Sequence, residues 1–144
     1  MQELRGDIWN YHEDGQWIVI TTNGAVRHDG ACVMGRGVAL QAAQKFPDLP
    51  YRIGDRIRQS GNHVYAFTTL RIFSFPVKRI WSETASLSLI VESAEQLVKF
   101  LGVMKIDRVY CVRPGCGNGG LTWSTVKPSI ETIFDDRVCI VEKS

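Results

Sequence analysis

Arg113-Pro-Gly-Cys-Gly-Asn-Gly-Gly-Leu-Thr-Trp123 is a glycine-dense loop that follows directly on an apolar run, Val109-Tyr-Cys-Val112. Four of its residues are glycine, so the backbone can reach positive φ and bring N–H groups against a ligand with no Cβ in the way. A strand that stops at glycines before a helix sets bare amides at the carboxyl end of a sheet, where open α/β folds bind ligands and helix N-termini hold phosphate. A second loop of the same kind, Gly35-Arg-Gly37, precedes a helical pattern. Two cradles of this sort point to two phosphates.

Working outward from these loops, apolar runs alternate with helical patterns, the signature of a sheet with helices packed on it. Strands are expected over Met1–Leu4, Trp17–Thr22, His63–Thr69, Arg71–Phe75, Arg108–Val112 and Arg137–Val141. The run Trp17–Thr22 is β-branched and continuous, as a central strand covered on both faces requires. A helix is expected over Val38–Phe46, stopped by Pro47 and Pro50, and another over Tyr51–Gln59, ended by Gly61. The longest helix should run from Ser86 to Gly102, where Leu87, Ile90, Val91, Ala94, Leu97, Val98 and Leu101 form one apolar stripe. Pro76 is expected to close a strand, and Pro128 to open a last helix as a first-turn proline.

The chain has 144 residues, enough for one domain that buries roughly 70% of its extended surface. We therefore expect a single domain over residues 1–144. A net charge of +2, with acids and bases interspersed, gives no general support to nucleic-acid binding. The four cysteines, Cys32, Cys111, Cys116 and Cys139, contain no Cys-x-x-Cys pair, and His12, His28 and His63 show no metal spacing, so neither a metal nor another cofactor is called for. Solvated or capping roles are expected of the three histidines. No signal peptide or spanning run is evident, and a cytoplasmic, intracellular protein is the expectation, with no membrane partner.

Several residues carry two readings. Asp7, after the first strand, can cap a turn or helix, which local backbone chemistry favours about twofold, or accept from an exocyclic amine such as that of adenine. Asn23, in Asn23-Gly24, forms a plain turn or meets a sugar hydroxyl. The glycines at 35 and 37 either let a helix pack closely on the sheet or face an anion; a dinucleotide fingerprint is weak here because no third glycine follows at the required spacing. Cys116 sits like an exposed nucleophile, but no base stands near it in sequence, and a catalytic role is not expected of it. Trp81 and Trp123 stand near loops, where they can stack on a base or ribose, although core packing is the commoner fate.

Gly6-Asp7-Ile8, Val19-Ile-Thr-Thr-Asn23, Met34-Gly-Arg-Gly-Val-Ala39 and Pro114-Gly-Cys-Gly-Asn-Gly-Gly-Leu-Thr-Trp123, in this order, resemble the macro domains, which bind ADP-ribose. The set spans almost the whole chain. It is most similar to the divergent branch of terminal ADP-ribose protein glycohydrolases and ADP-ribose-1″-phosphate phosphatase-like proteins. The resemblance implies a three-layer α/β/α sandwich around a central mixed sheet. It implies that Asp7 and Ile8 hold adenine, while Gly35, Arg36, Gly37 and Val38 cover one side of the diphosphate. Pro114, Gly115, Cys116, Gly117, Asn118, Gly119 and Gly120 would wrap the other side, and Asn23 would lie near the distal ribose. In the glycohydrolase branch a strand-end lysine attacks the anomeric carbon, helped by an aspartate in the second glycine loop. Lys78 matches the lysine, with Leu70 as the alternative match, and Asn23 is the other candidate at the reacting centre. The aspartate position is Gly119. The implied partner is ADP-ribose or an ADP-ribosylated macromolecule, nucleic acid entering only as a modified substrate. ADP-ribose binding, together with removal of ADP-ribose from protein or nucleic acid or hydrolysis of a small ADP-ribose derivative, is the leading expectation; a non-catalytic reader is the second, and a nucleotide or RNA binder the third.

Overall fold

A computed structural model describes residues 1–144. Six strands form one sheet: β1 (Gln2–Gly6), β2 (Trp17–Asn23), β3 (Tyr65–Phe67), β4 (Ile72–Lys78), β5 (Val109–Val112) and β6 (Val138–Lys143), in the order β1-β6-β5-β2-β4-β3. All neighbours are parallel except β3, which runs antiparallel to β4. The helices are α1 (Ile8–Glu13), α2 (Gly37–Lys45), α3 (Leu49–Ser60), α4 (Leu87–Met104) and α5 (Trp123–Ile130).

Alternation along the strands builds two cores. Val19, Phe73, Phe75 and Val109 pack with Ile90, Ala94, Leu97 and Leu101 of α4 and with Val126 and Ile130 of α5. Ile18, Ile20, Ile72 and Tyr110 face the other way, onto Ile8 and Trp9 of α1, Ala42 of α2, and Leu49 and Ile53 of α3. The result is the three-layer α/β/α sandwich with a mixed sheet that was expected. Each fully buried Ile or Leu of α4 contributes about 1.5–3 kcal/mol of transfer free energy, and Ser86 caps that helix by accepting from the Leu89 amide at 3.3 Å. No helix is long and apolar enough to cross a membrane.

Three prolines behave differently from expectation. Pro76 lies inside β4: β3 reaches only Ile72–Ser74, so Pro76 stands where β4 has no second neighbour, and a missing N–H costs no ladder bond there. Pro50 does not stop a helix but occupies the first turn of α3, where its absent donor is not needed. Pro128 lies within α5, which starts at Trp123 rather than at the proline and forgoes one bond, that to the Ser124 carbonyl. The six-residue helix α1 was not anticipated beyond its cap. It matters because it buries His12, whose Nε2 meets the Leu70 carbonyl at 2.7 Å, so this histidine is neither solvated nor a cap.

Candidate functional site

Five parallel strands end on the same edge of the sheet, and a cavity of about 990 Å³ opens there. It is lined by residues at or just beyond the carboxyl ends of β1 (Gly6, Asp7, Ile8), β2 (Thr21, Thr22, Asn23), β4 (Val77, Lys78), β5 (Val112, Arg113) and β6 (Val141 to Ser144), together with both glycine loops. This is the crevice outside the carboxyl ends of strands that open α/β sheets use for ligands.

The first loop delivers α2. The amides of Gly37, Val38 and Ala39 have no acceptor within the protein, because the first intrahelical bond of α2 runs from the Leu40 amide to the Arg36 carbonyl and no side chain caps the helix. The positive end of the helix therefore points free donors into the cavity. In the second loop Cys116, Gly120 and Leu121 spend their amides internally on the carbonyls of Arg113, Gly117 and Gly115. Those of Gly117, Asn118 and Gly119 stay unpaired. The loops meet where a Cβ on Gly37, at φ +58°, would lie 3.1 Å from Asn118 Nδ2. Free donors on both sides, with Arg36, Lys78, Arg113 and Lys143 against Asp7 and Glu142 in the lining, make the cavity suited to an anion.

Asp7 caps α1, with Oδ1 accepting the Trp9 amide at 3.0 Å, so the capping reading holds. It also lines the cavity with its side chain exposed, and Ile8 lies beside it with an amide in the unpaired first turn. Asn23 organises the chain around it: Nδ2 donates to the Val33 carbonyl at 2.9 Å and Oδ1 accepts from the Ala25 amide at 2.8 Å. A register shift after Thr22 sets Asn23 opposite Lys78. Lys78 Nζ donates to the carbonyls of Asn118 at 3.2 Å and Trp81 at 3.4 Å, tying β4 to the second glycine loop. Leu70 sits before the opposite, amino-terminal end of β4 and cannot share this place.

Pro114 and Gly120 lie behind the lining: Pro114 is buried, and Gly120, at φ +81°, turns the chain beside Thr84. A Cβ at Gly117 would point into open space. At Gly119 it would overlap the carbonyl oxygen of Gly115, so the backbone in this form admits no side chain where the resemblance calls for an aspartate. Cys116 is half-buried, its Sγ donates to the Pro114 carbonyl, and burial pushes its thiol up despite the opposing field of Arg113. A thiol so placed makes a poor nucleophile. Trp123 is structural: its Nε1 donates to Glu3 at 2.9 Å and Arg113 packs over its ring.

Reading from sequence missed the contribution of β6 and of Arg113. Sequence order does not reveal that β6 inserts between β1 and β5, which alone brings its end to the cavity. An arginine directly after a strand and before a glycine loop was the available signal for Arg113.

No protein-family model matches the chain. A DNA ADP-ribosyl glycohydrolase of Thermus aquaticus is 32% identical over 113 residues, covering 72% of this chain and 31% of that protein. The chain thus spans about a third of the length of the curated relatives it matches. The macrodomain of Thermus aquaticus DarG superposes with a TM-score of 0.76 at 27% identity over 99% of this chain and 97% of that one. Thermosipho africanus DarTG in complex with ADP-ribose gives 0.77 at 23% identity, over 96% of this chain and 40% of that one, a likeness of fold. With the sandwich, the carboxyl-edge cavity and the two glycine loops in place, the chain belongs to the macrodomain family.

Proposed function

We propose that the cavity binds ADP-ribose and that the domain, acting as one unit over residues 1–144, releases ADP-ribose from DNA. The observation that carries this reading is the pair of facing loops, each with a run of unpartnered amides, meeting above a lysine at the end of β4. A diphosphate fits between the loops, with Asp7 and Ile8 toward adenine and Asn23 and Lys78 toward the distal ribose. The names of the relatives supply the ADP-ribosyl ligand and the DNA acceptor. The relatives come from bacteria and their printed substrate is DNA, so we place the domain in the cytoplasm.

Hydrolysis forms a bond from water oxygen to the anomeric carbon and breaks that carbon's bond to the DNA acceptor, which leaves with the electron pair and takes up a proton. Lys78 acts beside that carbon, either as the attacking amine in a two-step route or as the cation that stabilises the departing charge. Release of ADP-ribose from a modified single-stranded oligonucleotide tests this. Lys78→Ala should slow release by about a hundredfold or more while still binding ADP-ribose; a variant with full turnover removes Lys78 from the mechanism.

One observation favours a second reading, a reader without chemistry. Gly119 leaves the second loop with no carboxylate to assist the lysine, and the loop backbone excludes one. Binding of ADP-ribose with no release from modified DNA by the wild-type domain would select it.

A further inference from the structure

Three of the four tryptophans are engaged within the protein. Trp9 donates to Gln41, Trp17 packs on Phe73, and Trp123 donates to Glu3. Trp81 has no aromatic, cationic or hydrogen-bond partner for its indole; it is 57% exposed and lines the mouth of the cavity. Two residues before it stands Arg79, whose side chain is 81% exposed and reaches only Glu83, at 3.7 Å. The backbone beneath is fixed. The Gly24 amide donates to the carbonyls of Lys78 and Arg79, Asn62 donates to Lys78, and the Trp81 carbonyl accepts from Lys78 Nζ. The turn is therefore a held platform that presents a nearly free guanidinium one residue beyond Lys78 and a bare indole three residues beyond it.

On the proposed function, which this inference rests on, the anomeric carbon lies beside Lys78 and the acceptor must leave the cavity over this turn. We infer that Arg79 and Trp81 form the acceptor subsite, Trp81 stacking on a nucleobase of the ADP-ribosylated strand and Arg79 meeting its phosphate. A flat apolar surface beside two adjacent cations, Lys78 and Arg79, has the pairing that single-stranded nucleic acid uses, and stacking of one base on an aromatic residue contributes about 1–3 kcal/mol. A peptide acceptor has no general need of that combination.

The test is displacement of a fluorescent ADP-ribose probe by three competitors: free ADP-ribose, an ADP-ribosylated single-stranded oligonucleotide and an ADP-ribosylated peptide. The readout is the ratio of each conjugate's affinity to that of free ADP-ribose. Lys78→Ala protein, which keeps ADP-ribose binding but releases it slowly, is the background for every variant and should prefer the oligonucleotide conjugate. Trp81→Ala should lower that ratio about tenfold, the equivalent of a single stack, and Trp81→Phe should keep most of it. Arg79→Gln should flatten the salt dependence of the ratio by about one ion. A ratio unchanged in Trp81→Ala overturns the subsite while leaving ADP-ribose binding intact. An equal Trp81-dependent preference for the peptide overturns the nucleic-acid assignment. Failure of free ADP-ribose to displace the probe overturns the reading beneath both.

Discussion

Adding one methyl group at Gly119 tests the architecture of the second glycine loop. The new Cβ would overlap the Gly115 carbonyl oxygen and stand 2.7 and 2.8 Å from the Gly115 carbonyl carbon and Cα, all backbone atoms that no rotamer change can move aside. Neither strand of the loop is free to retreat. The Gly115 carbonyl accepts the Leu121 amide at 3.0 Å, the Gly119 carbonyl accepts the Ala85 amide at 2.8 Å, and Gly115 is backed by Ile90 and Ala85. Relief requires a shift that breaks at least one of those bonds, and a buried donor left unpaired costs about 1–3 kcal/mol. With residual overlap, Gly119→Ala should destabilise by about 2–4 kcal/mol, or roughly 5–12 °C in Tm for a domain of this size. Gly117→Ala, whose Cβ meets nothing within 4 Å, is the matched control and should change stability by less than about 0.5 kcal/mol. Urea denaturation of both variants, fitted by linear extrapolation, measures the difference. If Gly119→Ala is as stable as Gly117→Ala, the tight loop described here is wrong, and so is the conclusion that this position excludes an aspartate.

Lys105 closes α4 at φ +56°, a left-handed conformation that strains a side chain, and Lys105→Gly should raise stability by about 0.5–1 kcal/mol, seen as a gain of a few degrees in thermal melting. Glu3 links β1 to α5, accepting from Lys127 at 2.6 Å and from Trp123 at 2.9 Å. Lys127 first, and Trp123 next, hold its carboxyl below the ordinary value. A lowered carboxyl stabilises the fold above the unfolded Glu value of about 4.3 and loses that contribution as pH falls through the folded one. The Tm difference between wild type and Glu3→Gln should accordingly be full at pH 7, shrink below about pH 4, and vanish under strong acid; a difference independent of pH would refute the pairing.

The sheet was legible because each strand carries its own apolar run, and Trp17–Thr22 and Val109–Val112 were read within a residue or two. The long stripe of α4 was equally plain. α1 was not, because six residues are too few for a 3.6-residue period to show, and the Asp7 cap is all that marks its start. The prolines misled for one reason: a missing N–H matters only where the fold supplies an acceptor. That depends on where β3 stops and where α3 and α5 begin, which are tertiary facts. Both glycine loops could be located from local composition. Their meeting at Gly37 and Asn118, and the approach of Lys78 to Asn118, depend on β4 and β5 flanking β2, an arrangement the order of strands in the chain does not reveal.

Calorimetric titration with ADP-ribose, wild type beside Gly117→Glu, tests the central claim most directly. Gly117 tolerates a side chain without strain, so the glutamate acts through its bulk and charge at the lip of the anion site rather than by unfolding the loop. Wild-type protein should bind one equivalent of ADP-ribose, and the variant should lose at least tenfold in affinity while melting at the same temperature. No heat of binding from the wild type, or equal affinity in the two proteins, would contradict the assignment of the facing loops as the diphosphate site.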